Sequence, residues 1–378
     1  PPSFLADFAG VVGIDQVQFT RASSATYLDS SRIMQTASTN EPRLDHDPVT
    51  GESLGLLVEN AAANLPTGIS DLSNWSVVNA TYTLNDALAP NGTTTAEKLV
   101  STGDGNAVID FTPANTNNHK WSFWLKSATG GNFSITCIVA RMGPFGGVVA
   151  GLVLYNITTE WQRFEYDYNP LDTTSHRLIL GGFNSFLSGE ELYFWAPNNV
   201  EGSVLTSTIL GGTRAADIPT VSDVSWFNDG GDGTFIVEAS KMQANDLWSN
   251  ILVIESASTD RILIQATDPG TSPANATRFG IGESATFGVL VDGDAGYWSA
   301  ANSQQIGVAW TGAGDDAVLV TDGAVKAADI SYIVPTGNTE LAIGYDPGTI
   351  DREWDGHVAR ITYYNTRLSN AQIQVLTA

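Results

Sequence analysis

The chain has 378 residues, a net charge of −24 and a pI near 4.2, a balance that excludes a nucleic-acid partner, since phosphate contacts need clustered Lys and Arg, and disfavours anionic membrane surfaces. Charged residues make up only 15%, against 42% hydrophobic and 10% aromatic, enough for two or three domains with real cores under a neutral, polar surface. The single cysteine, Cys137, lies in the apolar run Phe133–Val139 and reads as a buried thiol, which rules out an intrachain disulfide and a Cys-based zinc site. No apolar run approaches the ~20 residues of a membrane span, so no membrane insertion is expected, and the opening Pro1-Pro-Ser-Phe lacks the basic region of a secretory leader.

In chain order, residues 1–64 read as an irregular arm. The stretch Asn40–Gly51 is dense in turn formers, and such an arm must pack on a neighbour because it cannot bury a core alone. Residues 65–217 read as a β-sandwich with strands at Trp75–Val78, Ala96–Val100, Ala107–Phe111, Trp121–Lys126, Asn132–Val139, Gly151–Tyr155, Gln162–Tyr168, His176–Leu180 and Glu191–Ala196. That number at that spacing suits a jelly roll of two antiparallel sheets. Residues 218–378 read as a second sandwich, with strand phrases at Gly233–Ala239, Ile306–Trp310, Ala317–Asp322 and Leu341–Gly344. The only convincing helix is the last segment, where Ser369 caps Asn370–Leu376 with Ile373 and Leu376 on one face. The expected fold is all-β: tandem antiparallel jelly-roll β-sandwiches with an irregular N-terminal arm and a short C-terminal helix.

Signals for chemistry are sparse. The four histidines, His46, His119, His176 and His357, show no metal-ligand spacing. A glycosidase needs two carboxylates roughly 5–10 Å apart, and Glu190, Glu191 and Asp167 do not stand out for it. No enzymatic role is expected. Sugars present C–H faces that stack on aromatic rings, which makes Tyr297, Trp298, Trp248 and Trp161 the glycan-binding candidates; the Gly296-Tyr297-Trp298-Ser299 phrase reads as loop-borne and exposed. Acidic turns offer hard oxygen ligands of the kind calcium prefers. Asp229, Asp232, Asp292 and Asp294 are the residues that would hold it, although Asp and Gly are also ordinary β-turn residues. Arg21 reads as an internal partner of a nearby carboxylate, Asp29 or Asp45.

Two phrases, Phe19-Thr-Arg21-Ala-Ser-Ser-Ala-Thr-Tyr27-Leu-Asp29 and Gly55-Leu-Leu-Val-Glu59-Asn-Ala-Ala-Ala-Asn64-Leu65, resemble an N-terminal signature of phage virion proteins of the tail-fibre, head-fibre and decoration type. The segment Ala89–Leu99, the phrase Trp121–Lys126 and Trp161-Gln-Arg-Phe164 resemble the carbohydrate-binding-module-like domain of the same family. The segment Thr213-Arg214-Ala-Ala-Asp217 resembles its exit phrase at a domain join, with Thr208-Ile-Leu standing where the family has Tyr-Ile-Pro. The tail from Trp354 to Leu376 is similar to its closing strand and helix, in a domain that resembles concanavalin and laminin-G modules. The resemblance implies a virion structural protein, a fibre or spike whose lectin-like sandwiches recognise host-surface polysaccharide. It also implies attachment to other virion proteins through the N-terminal arm, a homo-oligomer for which a trimer would fit, and a place on the virion surface after synthesis in the host cytoplasm. A purely architectural capsid or tail decoration protein is the alternative, and a polysaccharide depolymerase a more distant one.

Overall fold

The computed structural model describes residues 1–65, 71–142, 147–202, 204–242, 248–257, 260–283, 286–298, 303–348 and 352–378. The chain is all-β, with antiparallel sheets and one short helix at its end. It divides into two compact units. A terminal unit comprises Pro1–Arg32, Ala37–Ala61 and Ala215–Ala378, and a mid-chain unit comprises Ile33–Thr36 and Ala62–Arg214.

The join expected near Asp217 falls at Arg214/Ala215. The expected arm of residues 1–64 differs more. Most of it belongs to the terminal unit, where Phe4–Asp7 and Ser53–Val58 both pair with Gly356–Tyr364, and Leu44–His46 pairs with Ser53–Val58. These strands are three to six residues long. Period-2 alternation needs several residues to show, so their partners are what make them strands, and for Phe4–Asp7 and Ser53–Val58 that partner lies more than 290 positions away.

The terminal unit holds two sheets. One runs, in spatial order, Ala324–Asp329, Ala317–Thr321, Gln304–Trp310, Gly233–Lys241, Gly356–Tyr364, Ser53–Val58 and Leu44–His46. The other runs Gln18–Thr20, Ile218–Val221, Glu340–Ile343, Ser249–Ala257, Asp260–Ala266, Thr277–Glu283 and Thr286–Asp292. Alternate residues of both sheets meet in one core that includes Phe235, Val237, Ile264, Phe279, Val308, Trp310, Ile361 and Tyr363. Gly55 of the signature phrase has φ 92°, and a Cβ there would lie 2.5 Å from the Ala359 Cα. Only glycine lets the two strands approach so closely.

The mid-chain unit is built around the 18-residue strand Thr94–Phe111. Its first half pairs with Glu191–Glu201 and its second half with His176–Gly181, so one strand serves both layers of the sandwich. The first layer continues through His119–Ser127 to Gln162–Tyr168, and the second through Phe133–Arg141 to Val153–Ile157. Between them lie Leu99, Ile109, Trp121, Phe123, Leu125, Ile135, Cys137, Leu178, Leu192 and Phe194. Cys137 is buried as expected, and burial pushes its thiol far above the ordinary range.

Candidate functional site

The residues of the signature phrases converge inside the terminal unit. Arg21 Nη1 donates to Asp217 Oδ1 at 2.9 Å, and its Nη2 donates to the Ser38 carbonyl at 2.7 Å. Arg43 Nη1 donates to Glu59 Oε2 at 2.5 Å, and its Nη2 donates to Asp217 Oδ2. Burial works against the Arg43 charge, but the Asp217 and Glu59 carboxylates outweigh it and hold its pKa above the ordinary value. Two cations face two anions, so the knot is neutral overall. The internal partner expected for Arg21 is therefore real, but it is Asp217 and not Asp29 or Asp45. Asp29 accepts from the Ser31 amide, while Asp45 accepts from the Leu28 amide and faces His357. The void beside the knot measures about 10 Å3, the size of a single water. The knot ties the fold together and has no room for a ligand.

The aromatic candidates separate on burial. Trp298 is 1% exposed and packs edge-on against Trp354 with centroids 4.7 Å apart, so it belongs to the core. The adjacent Tyr297 is half-buried; its hydroxyl donates to the Gln305 carbonyl, and burial raises its pKa above the ordinary range. The expectation of an exposed Tyr297-Trp298 pair is overturned because the phrase turns its tryptophan inward against a second indole. Trp248 is half-buried over the Arg278 guanidinium, 4.8 Å from ring centroid to Cζ.

The carboxylates proposed for calcium are occupied by protein donors. Asp229 accepts from the Gly337 and Asn338 amides and from Asn338 Nδ2, and these bonds lower its pKa against the effect of burial. Asp232 accepts from the Gly312 amide. Asp292 forms a two-pronged pair with Arg278, and Asp294 pairs with Lys326 at 2.6 Å. Among the described residues no group of three His, Cys, Asp or Glu converges as a metal site would require. Gly51-Glu-Ser53-Leu-Gly55 fits a nucleophile-elbow pattern, yet Ser53 opens a β-strand and stands on no strand-to-helix turn.

Trp161 has a different setting. It precedes the strand Gln162–Tyr168, whose first residue lies opposite Leu125. Leu125, Leu192, Phe194 and Leu99 point into the core, so alternation turns Lys126, Tyr193 and Lys98 outward on one cross-strand row. The Trp161 indole donates from Nε1 to the Leu88 carbonyl at 3.1 Å. Its ring centroid lies 6.4 Å from that of Tyr193. Beside them Lys98 Nζ sits 2.6 Å from Glu191 Oε2, a contact that raises the lysine pKa. All four side chains are half-buried. Two rings held in fixed orientation next to a charged donor and a charged acceptor offer both kinds of contact a saccharide uses: an apolar face, and partners for hydroxyls.

Tyr193 escaped the sequence reading because it stands among the apolar residues Leu192–Ala196, and Lys98 because its cross-strand partner lies 95 positions away. The signal for Tyr193 lay in the alternation of its strand, since assigning Leu192 and Phe194 to the core exposes Glu191 and Tyr193. The neighbouring outward rings, Trp124 and Trp195, are 8% and 7% exposed and are tied down through their indole nitrogens to Thr208 and Thr95.

No protein-family model and no curated protein matches the chain. Solved structures similar to part of it include the CBM40 of Ruminococcus gnavus IT-sialidase bound to alpha2,3 sialyllactose. That similarity has 13% identity and a TM-score of 0.35, over 40% of this chain and 84% of that one. The leech intramolecular trans-sialidase is similar at 13% identity and a TM-score of 0.36, over 42% of this chain and 25% of that one. The binding domain of botulinum neurotoxin DC is similar at 8% identity and a TM-score of 0.35, over 47% and 45%.

Proposed function

We propose that this chain is a carbohydrate-recognising virion protein, a tail- or head-fibre or spike component that binds host-surface polysaccharide without chemically altering it. The observation that carries the reading is the Trp161–Tyr193 ring pair set beside the Lys98–Glu191 ion pair on an outward sheet face. The virion reading rests on the resemblance of the signature and exit phrases, of whose residues Arg21, Glu59 and Asp217 meet with Arg43 in one buried knot. A single shallow ring pair binds weakly, and copies on one particle, as in a homo-oligomer, would multiply the effect. Particle attachment would use a surface other than the N-terminal strands, which the terminal unit's own sheets occupy.

The test is saturable binding of fluorescently labelled chain to a panel of intact bacterial cells, with extracted surface polysaccharide as competitor. The expected result is competed binding that Trp161→Ala weakens by about tenfold, the equivalent of 1.4 kcal/mol. Absence of saturable binding by multivalent protein would overturn the reading and leave an architectural decoration protein.

A further inference from the structure

In the mid-chain unit, the turn that ends the strand His176–Gly181 is built from successive left-handed residues. Gly181, Gly182, Phe183 and Asn184 have φ of 90°, 79°, 55° and 57°. Glycine adopts this backbone freely, whereas a bulky aromatic residue does so at a cost. The surroundings enforce it. The Gly182 amide donates to the Gly105 carbonyl at 2.8 Å, the Asn184 amide to Asp104 Oδ1 at 2.9 Å and the Ser185 amide to the Gly182 carbonyl at 3.0 Å. The Gly105 amide and the Ser101 hydroxyl both donate to the Phe186 carbonyl. The turn is thus strapped to residues 101–106, yet the ring it carries is left in solvent. Phe183 is 58% exposed, and no other Phe or Trp among the described residues is classed as exposed. Strain of this kind persists only where the surroundings over-determine it, and it gathers at ligand clamps.

Polar groups flank that ring. Asp104 uses Oδ1 on the Asn184 amide, and its Oδ2 has no partner among the described residues. The Asn106 side chain, also without a partner among them, lies beside Gly182, where a Cβ would be 3.6 Å from its Nδ2. Asp104 and Asn106 are half-buried and Asn184 is exposed, so all three are open to solvent. No Lys or Arg stands in residues 101–106 or 181–190, so neither segment offers a cation to an anion.

We propose that Phe183, Asp104 and Asn106 form a second glycan site, separate from Trp161, that takes an uncharged sugar residue. The ring supplies a flat apolar surface for a C–H face. Asp104 Oδ2 accepts from one hydroxyl, and the Asn106 amide both donates to and accepts from the next. Gly105 stands seven positions after Lys98 on Thr94–Phe111, roughly 20 Å along the strand, which is farther than one sugar residue spans. The two sites would hold separate residues of a polysaccharide.

The test is saturation-transfer NMR on the full chain with the methyl glycosides of glucose, galactose, mannose and N-acetylglucosamine, with methyl glucuronide as the anionic probe. At least one neutral glycoside is expected to bind wild type and Trp161→Ala alike, and to bind Phe183→Gly and Asp104→Asn about tenfold more weakly. Phe183→Gly is expected to keep or raise the melting temperature, because glycine suits a φ of 55°. Asp104→Asn retains the acceptor for the Asn184 amide, so the two variants separate lost binding from lost folding. The proposal is overturned if no neutral glycoside binds, if the glucuronide alone binds, or if binding survives both variants. A lowered melting temperature for Phe183→Gly would make the ring part of the packing. Wild-type oligomers that Phe183→Gly dissociates, with no glycoside bound, would make it a protein contact. Either result overturns the proposal. Binding lost in Trp161→Ala but kept in Phe183→Gly and Asp104→Asn would sink this site and leave the Trp161 reading standing; the reverse pattern would support this site even where that reading fails.

Discussion

Asp217 carries more of the fold than its position in a turn-rich join suggests. Both its oxygens are used, by Arg21 on one side and by Arg43 and the Glu59 amide on the other. Removing one member of such a set leaves buried charge uncompensated, at about 3–5 kcal/mol. Asp217→Asn is therefore expected to lower the guanidinium midpoint of the terminal unit by that equivalent. Glu97, in the mid-chain unit, behaves oppositely. Burial raises its pKa to about 7 even though its carboxylate accepts from the Leu72 amide at 2.6 Å. Its folded pKa lies above the unfolded 4.5, so the protonated form is favoured on folding. That stabilisation is complete below pH 4.5 and is lost as pH rises through about 7, by at most roughly 3 kcal/mol. Glu97→Gln is expected to flatten the pH dependence of the mid-chain unit over this window, read as denaturant midpoints at pH 5 and pH 8. The charge in these residues was legible in the sequence, but their partners were not. The Arg21–Asp217 contact spans 196 positions, and no local pattern encodes it.

Among the elements, the C-terminal helix was the most legible. Ser369 accepts from the Gln372 amide and the Gln372 side chain answers to the Ser369 amide, a reciprocal cap written within four residues. Ser369→Ala is expected to cost about 1 kcal/mol in chemical unfolding. What the helix rests on was not legible. Ile373 is fully buried above Gly307, where a Cβ would lie 2.2 Å from its Cγ2. Gly307→Ala is expected to displace the helix and cost about 1–3 kcal/mol, and to expose the 370–376 amides to faster hydrogen exchange. The longer strands of the mid-chain unit were legible as apolar or alternating runs of five or more residues, such as His119–Ser127, Phe133–Arg141 and His176–Gly181. Gln162–Tyr168 lies where the pattern put it, whereas Ala96–Val100 and Ala107–Phe111 prove to be two halves of one strand. The candidate site was legible only in part. Trp161 announced itself ahead of its strand, while Trp298 looked exposed because a Gly-rich turn carries it, and the indole it packs on lies 56 positions away.

At the scale of the molecule, two units with separate cores are expected to give more than one calorimetric transition. Asp217→Asn should shift only the transition of the terminal unit, and raising the pH from 5 to 8 in the Glu97→Gln chain should leave the mid-chain transition in place. A single transition moved by both variants would show that the units melt together.

Gly356–Tyr364 is the strand on which Phe4–Asp7, Ser53–Val58 and Gly233–Lys241 all pair. During synthesis, the first of these leaves the ribosome about 350 residues before its partner is made. At ordinary elongation rates of about 5–20 residues per second, that is a wait on the order of 20–70 s. The mid-chain unit, almost wholly contiguous, can close in the meantime, while Phe4–Asp7 waits for its partner strand. A premature stop anywhere before Gly356 would therefore leave Phe4–Asp7 and Ser53–Val58, far upstream of the break, without the strand they both pair with.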